Sequence, residues 1–393
     1  MTTPCCLAVP LLVFGSFAAD VWQERMREAN RLDHEGRFSE AQSLYTAALQ
    51  EAEKFGPADP RLAESLNNLA VHYFNSGEYA LAEPLYQRAL TAWKTSRGET
   101  SRDLALTMNN LAALYRAQGR YTQAEPPYSS ALRLLEQISG PDSLDVSGTL
   151  NNLAELYRTQ ARYSEAESLA RRSVDIGERR AGPESPEVAS NLHTLAAICR
   201  ELGRQEEAFA LLERSLKIRE KAFGPEHPLV ALTLGNIAEI YSTQRRFDQA
   251  ELLSKRVLAI REKALGPRHP TVAVSLNNLA QIKRMQGRYA EAEPLYRRAL
   301  AIWEEALGPN HPNVARGLSN LADFYHERGR EPAAERLYMR AITILESALG
   351  PYHPDVARLS GSLAQVYRAE GRSRRAEQIE ARYKNAALDG LSR

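Results

Sequence analysis

The chain has 393 residues, with 50 basic and 49 acidic side chains and a net charge of +1. So even a balance argues against nucleic acid as a partner, because neutralising phosphates takes a clearly basic surface. No run of 18 or more apolar residues occurs, so stable membrane insertion through a conventional helix is not expected.

Residues 1–19 differ from the rest. Cys5 to Phe17 is largely apolar, and Ser16-Phe17-Ala18 ahead of Ala19-Asp20 has the small-x-small form of a signal-peptidase site. Against this, no Lys or Arg precedes the apolar stretch, and Pro10 interrupts it. The segment reads either as an export signal, with the mature chain periplasmic or secreted, or as an apolar tail on the first helices of a cytoplasmic protein. Neither Cys5 nor Cys6 stands in a lipobox. The third cysteine, Cys199, falls beside core positions, so no disulfide framework is expected.

From residue 20 onward one period governs the chain. Gly56, Gly98, Gly140, Gly182, Gly224, Gly266, Gly308 and Gly350 are spaced 42 residues apart. A second marker keeps the step at Leu66-Asn67-Asn68-Leu69-Ala70, Met108 to Ala112, Leu150 to Ala154 and Leu276 to Ala280. A third is the alanine series Ala82, Ala124, Ala166, Ala208, Ala250, Ala292, Ala334 and Ala376. The units fall near 20–55, 56–97, 98–139, 140–181, 182–223, 224–265, 266–307, 308–349 and 350–387, with a tail at 388–393.

Each unit reads as helix–turn–helix. Leu66, Leu69, Ala70 and Tyr73 follow i, i+3, i+4, i+7, one apolar stripe of a helix. Leu81, Ala82, Leu85, Tyr86, Ala89 and Leu90 form the stripe of a second helix. Ser76-Gly77-Glu78 is the turn between them, and the glycine-proline segment closes the pair. About eighteen helices and no strand follow. The recurring alanines imply close helix approach, and a single pair cannot bury both faces, so the pairs must stack. The last second helix, with Glu380 and Tyr383 where earlier units have Tyr and Ala, reads as a polar cap.

The pattern of Ala70, Gly77, Tyr79, Ala82 and Ala89 resembles the tetratricopeptide repeat. The 42-residue length and the Leu-Gly-Pro-x-His-Pro wording resemble its kinesin-light-chain variety, found widely in bacterial proteins; the resemblance covers about residues 22 to 387. It implies an all-α solenoid, a right-handed superhelix of about nine helix pairs. It further implies a non-enzymatic scaffold without cofactor, whose first helices line a concave groove for partner proteins or extended peptides.

On that inner face Asn68 recurs as Asn110, Asn152, Asn236, Asn278 and Asn320. An amide carries donors and an acceptor, so such a row can pair with a peptide backbone without dictating its side chains; the resemblance assigns these asparagines that role. The preceding row, Asn67, Asn109, Asn151 and Asn277, is expected to bond between adjacent helices. Arg116, Arg158, Arg200, Arg284 and Arg368 either clamp a ligand carboxylate or pair with glutamates of neighbouring units. Other inner positions pass from apolar (Val71, Leu106, Ala113, Ala117) to acidic (Glu201, Glu239, Asp323, Glu327), which suggests a graded groove. The middle units break the rows: His193-Thr194 and Gly235 interrupt the asparagines, and Ser242 replaces the arginine.

His227, His269, His311 and His353 cannot share one metal ion, because equivalent atoms of stacked units lie on the order of 10 Å apart. A hydrogen bond fixing the Gly-Pro-x-His-Pro turn is the expected role. Phosphate-loop, nucleophile-elbow and His-Glu-x-x-His patterns do not occur, so no metal or catalytic site is expected. Two alternatives to a peptide-binding scaffold keep the same fold: self-assembly through stacked arrays, and a sensor or regulatory arm for a separately encoded effector.

Overall fold

The computed structural model describes residues 12–390, with side chains described over 20–383 apart from His34. The cysteines and proline of the N-terminal segment therefore lie outside the described residues, as do the side chains of the expected cleavage site. Among the described residues there are eighteen helices and no strand. The first helices of the pairs are α1 (Leu12–His34), α3 (Pro60–Asn75), α5 (Arg102–Ala117), α7 (Leu144–Thr159), α9 (Pro186–Glu201), α11 (Pro228–Thr243), α13 (Pro270–Met285), α15 (Pro312–Glu327) and α17 (Pro354–Ala369). The second helices are α2 (Phe38–Lys54), α4 (Tyr79–Arg97), α6 (Tyr121–Ser139), α8 (Tyr163–Ala181), α10 (Gln205–Phe223), α12 (Phe247–Leu265), α14 (Tyr289–Leu307), α16 (Glu331–Leu349) and α18 (Ser373–Gly390). No described helix is long and apolar enough to cross a membrane.

Local chemistry sets the ends of these helices. Second helices stop at glycines with positive φ, such as Gly98 at 80°, where a side chain would be strained. First helices start on a side-chain acceptor: Asp59 accepts from the Arg61 N–H and Ser185 from that of Val188. In later units the turn histidine takes over this task. Nδ1 of His227 accepts from the Leu229 N–H at 3.2 Å, and that of His311 from the Asn313 N–H at 3.0 Å.

Packing alternates small and large. Ala70 and Ala82 are fully buried, so α3 and α4 approach closely, while Tyr86, Tyr128, Tyr296 and Tyr338 plug the space between successive pairs. Leu81 departs from its expected stripe: it is 47% exposed, because the core-facing arc of α4 is occupied by Ala82, Tyr86 and Ala89. At the C-terminal end Tyr383 is buried rather than polar-facing, and its hydroxyl donates to Glu346 at 2.6 Å; Glu380 supplies the polar character by pairing with Arg368.

One feature of the winding has no counterpart in a single unit. The superhelix returns to itself after between five and six units, so that turn glycines of the first three pairs meet turn histidines far along the chain. A Cβ added at Gly36 would come within 2.8 Å of His269 Cδ2, and one at Gly119 within 2.7 Å of His353 Cδ2. Gly77 sits against His311 in the same way, whereas Gly203, the equivalent turn glycine of a middle unit, faces open space. Burial pushes the His311 imidazole down to about 4, so it is neutral at ordinary pH. Gly77→Ala and Gly203→Ala impose similar backbone strain, at φ of 77° and 78°. Only Gly77→Ala is expected to loosen the winding, seen as a larger radius of gyration in small-angle scattering.

Candidate functional site

First helices touch one another across pair boundaries, at α3–α5, α5–α7, α7–α9, α13–α15 and α15–α17, and no second helices approach to the same extent. The first helices therefore form the inner side of the curve, and side chains on their free face line it.

The asparagines of that face form a partial ladder. Asn110 Nδ2 donates to Asn67 Oδ1 at 3.1 Å and Asn320 Nδ2 to Asn277 Oδ1 at 2.9 Å, in each case bridging to the preceding unit. Asn236 Nδ2 lies 2.9 Å from His193 Nε2, and burial holds that imidazole down to about 4, so it is a neutral acceptor. Asn110, Asn236 and Asn320 thus spend one donor on the scaffold, whereas Asn68 Oδ1 accepts from Asn67 Nδ2 at 3.1 Å. Among the described residues Asn152 and Asn278 have no hydrogen-bond partner; Asn278 is exposed and Asn152 half-buried. Asn109 Oδ1 and Asn151 Oδ1 are both buried and unpartnered, the first facing the position of Asn152 and the second that of Thr194, so only Asn67 and Asn277 of their row bond to the next unit. Asn68 is placed differently: with Val71 and Asn75 it lines a cavity of about 540 Å³ whose opposite wall is Leu229, Leu232 and His269 of the next superhelical turn.

The arginines are engaged within the chain. Arg158 pairs with Glu155 at 2.8 Å and Glu201 at 3.3 Å, Arg200 with Glu239 at 2.6 Å and Arg284 with Glu327 at 2.5 Å. Arg116 reaches Glu155 at 3.8 Å and Arg368 reaches Glu380 at 2.6 Å. A ligand carboxylate at this row would have to displace one already present. The same pairs correct the expected gradient, since Glu201, Glu239 and Glu327 are neutralised and Asp323 accepts from the Tyr338 hydroxyl. The inner face is accordingly not an acidic wall.

Among the described residues no group of three or more His, Cys, Asp or Glu could hold a metal ion. Cys199 is fully buried, and burial pushes its thiol up to about 11, which makes it a packing residue rather than a nucleophile.

A tetratricopeptide-repeat family model matches residues 32–95, 61–137, 103–179, 145–221, 187–263, 253–305, 271–347 and 314–388. The chain belongs to the tetratricopeptide repeat family. Solved structures similar to this tetratricopeptide array include a Rap protein complexed with Competence and Sporulation Factor. It is 15% identical, with a TM-score of 0.58 over 95% of this chain and 98% of that one. Aspartyl phosphate phosphatase F from Bacillus subtilis is 15% identical, with a TM-score of 0.52 over 97% of this chain and 96% of that one. A Podosopora anserina protein named for kinesin light chain and built of nearly identical TPR-like repeats is 27% identical, with a TM-score of 0.43, covering 51% of this chain and 94% of that one. No match was found among curated protein sequences. At these identities the first two likenesses concern the fold of the tetratricopeptide array alone.

Proposed function

We infer that the chain is a protein-interaction scaffold, and that its inner face receives an extended peptide segment of a partner. The observation that carries this reading is the asparagine row. Its members stand at one equivalent position in six units of the inner helices, and their amide groups retain hydrogen-bonding capacity, most fully at Asn152 and Asn278. A peptide backbone offers a donor and an acceptor at every residue, which amides can match irrespective of side chains.

The test is to pan a displayed random-heptapeptide library on the wild-type chain and measure the recovered peptides on an Asn110→Ala/Asn152→Ala/Asn278→Ala variant. Loss of two or three hydrogen bonds of about 1 kcal/mol each should weaken binding at least about tenfold. Unchanged affinity would remove the row from the reading.

A further inference from the structure

On the outer side of the curve the repeat supplies its own reference for charge. In five successive units the arginine that opens the second helix meets an acceptor three residues on, at Gln123, Glu165, Glu207, Gln249 and Glu291. In α16 that position is Ala333, so Arg330 has no such partner. Its remaining carboxylate is Glu293 at 3.5 Å, which already takes Arg297 and the Tyr325 hydroxyl, each at 2.8 Å. α18 also lacks the acceptor, but Arg372 there holds both Glu335 and Glu370, and Arg375 reaches Glu335. Three residues beyond Ala333 stands Arg336, where no other second helix carries a charge. Among the described residues Arg336 has neither a hydrogen bond nor an ion pair. Residues three apart on a helix are neighbours, so Ala333 adjoins both arginines. One unit has lost an acid and gained a base at the same place.

Both changes border a cavity of about 430 Å³ between α14 and α16, within the range of small-ligand sites. Leu300, Leu321 and Leu337 form its apolar part, and Arg297, Arg330 and Arg336 its charged edge. Arg297 and Arg330 are more than half exposed, so their guanidiniums are open to an incoming anion. Among the described residues the one carboxylate that lines the cavity is Glu304, and Arg340 holds it at 2.5 Å. Arg297, Arg330, Arg336 and Arg340 therefore face Glu293 and Glu304 alone, and two positive charges are unmatched.

We propose that this outer cavity binds a phosphorylated serine or threonine of a partner protein, the phosphate between Arg330 and Arg336 and an adjacent apolar side chain against Leu300, Leu321 and Leu337. Glu291 shows what the missing side chain does in its own unit: it takes Arg288 in two bonds, of 2.6 and 2.7 Å. A carboxylate supplied from outside would answer one charge in this way and leave Arg336 unmatched. A phosphate monoester carries a charge of about −1.5 to −2 at neutral pH, and its three free oxygens suit two guanidinium forks. Inorganic phosphate would match the charge but leave the apolar surface uncovered. The site is separate from the inner face and does not rest on the asparagine row.

Three fluorescein-labelled heptapeptide pools test this by fluorescence polarisation, each with a fixed central leucine followed by phosphoserine, serine or aspartate. Wild type should bind the phosphoserine pool at least about tenfold more tightly than either of the others, the scale of one charge-assisted hydrogen bond. Ala333→Glu restores the carboxylate that three earlier second helices carry from α8 onward and should abolish that preference. Arg336→Ala, the residue α10 has as Ala210, should bring the phosphoserine pool to the level of the aspartate pool. Both substitutions install residues the repeat already uses there, and far-ultraviolet circular dichroism checks that the helices are kept. Asn110→Ala/Asn152→Ala/Asn278→Ala should leave the preference as it is, whatever becomes of peptides on the inner face. Equal binding of the phosphoserine and serine pools, no binding of any pool, or a phosphoserine preference surviving in Ala333→Glu or lost in the asparagine variant would overturn the proposal. Equal binding of the phosphoserine and aspartate pools by wild type would overturn the phosphate as ligand, leaving a site for carboxylates.

Discussion

Trp303→Ala is expected to lower stability by about 3–5 kcal/mol, the range for deleting a fully buried large aromatic. Trp303 is completely buried in α14, and its Nε1 donates to the Pro270 carbonyl at 3.1 Å. Its ring fills the space left by Gly317 on α15, where an added Cβ would come within 2.8 Å of Cε3. One side chain therefore ties the start of α13 to the middle of α15. In a solenoid each unit is held by its neighbours, so damage at this joint should stay local. The units from α13 onward should exchange amide hydrogens faster while the middle pairs α7–α8 and α9–α10 keep their protection. A change below about 1 kcal/mol, or uniform loss of protection along the chain, would show that the joint does not have this role.

Glu251→Ala is the second large effect expected, at about 3 kcal/mol. Glu251 is 8% exposed and gathers three cations: Lys283 and Lys255, each at 2.7 Å, and Arg288 at 2.8 Å. Removing it leaves Lys283, 3% exposed, with only the exposed Glu291 at 3.0 Å. Lys283→Met should cost much less, because Glu251 keeps two partners, and the double variant Glu251→Leu/Lys283→Met should be more stable than Glu251→Ala. The pH dependence has a definite sign. Burial by itself would raise the Glu251 carboxyl, but hydrogen bonds from Lys255, Lys283 and Gln286 outweigh it and hold it at about 2. Its contribution is therefore complete above the ordinary carboxylate range and is lost as pH falls from there toward about 2. Urea titrations across that window should show a steeper acid loss for wild type than for the double variant; parallel curves would contradict the assignment.

Much of this architecture was legible in the residues because its causes are local. The alanine at 82 and its copies, the turn glycines and the capping Asp59 and Ser185 each act within one unit or against the next, and the 42-residue step repeats them. The pairing of the arginine row was legible in principle: Arg158–Glu201, Arg284–Glu327 and Asn110–Asn67 all lie 43 residues apart, one unit plus one position. A search for opposite charges at that separation would have decided between a ligand clamp and an internal pair. The contacts of Gly77 with His311, and the enclosure of Asn68 that goes with them, were not legible. They depend on a small rotation per unit summed over more than five units, and no single motif encodes that sum. The breaks at Gly235 and Ser242 lie between these cases. They stand out in the sequence as interruptions of a row, but that both line one cavity between α11 and α13 follows only from the packing of those helices.

The claim that the inner face receives the partner is tested most directly by photocrosslinking from chosen positions. A benzoylphenylalanine replaces Asn152 on the inner row or Leu252, which is 69% exposed on the second helix α12, and each protein is irradiated with the peptides recovered by panning. Crosslinking from position 152 and none from 252 is the expected result. Crosslinking from 252 with none from 152 would contradict the account.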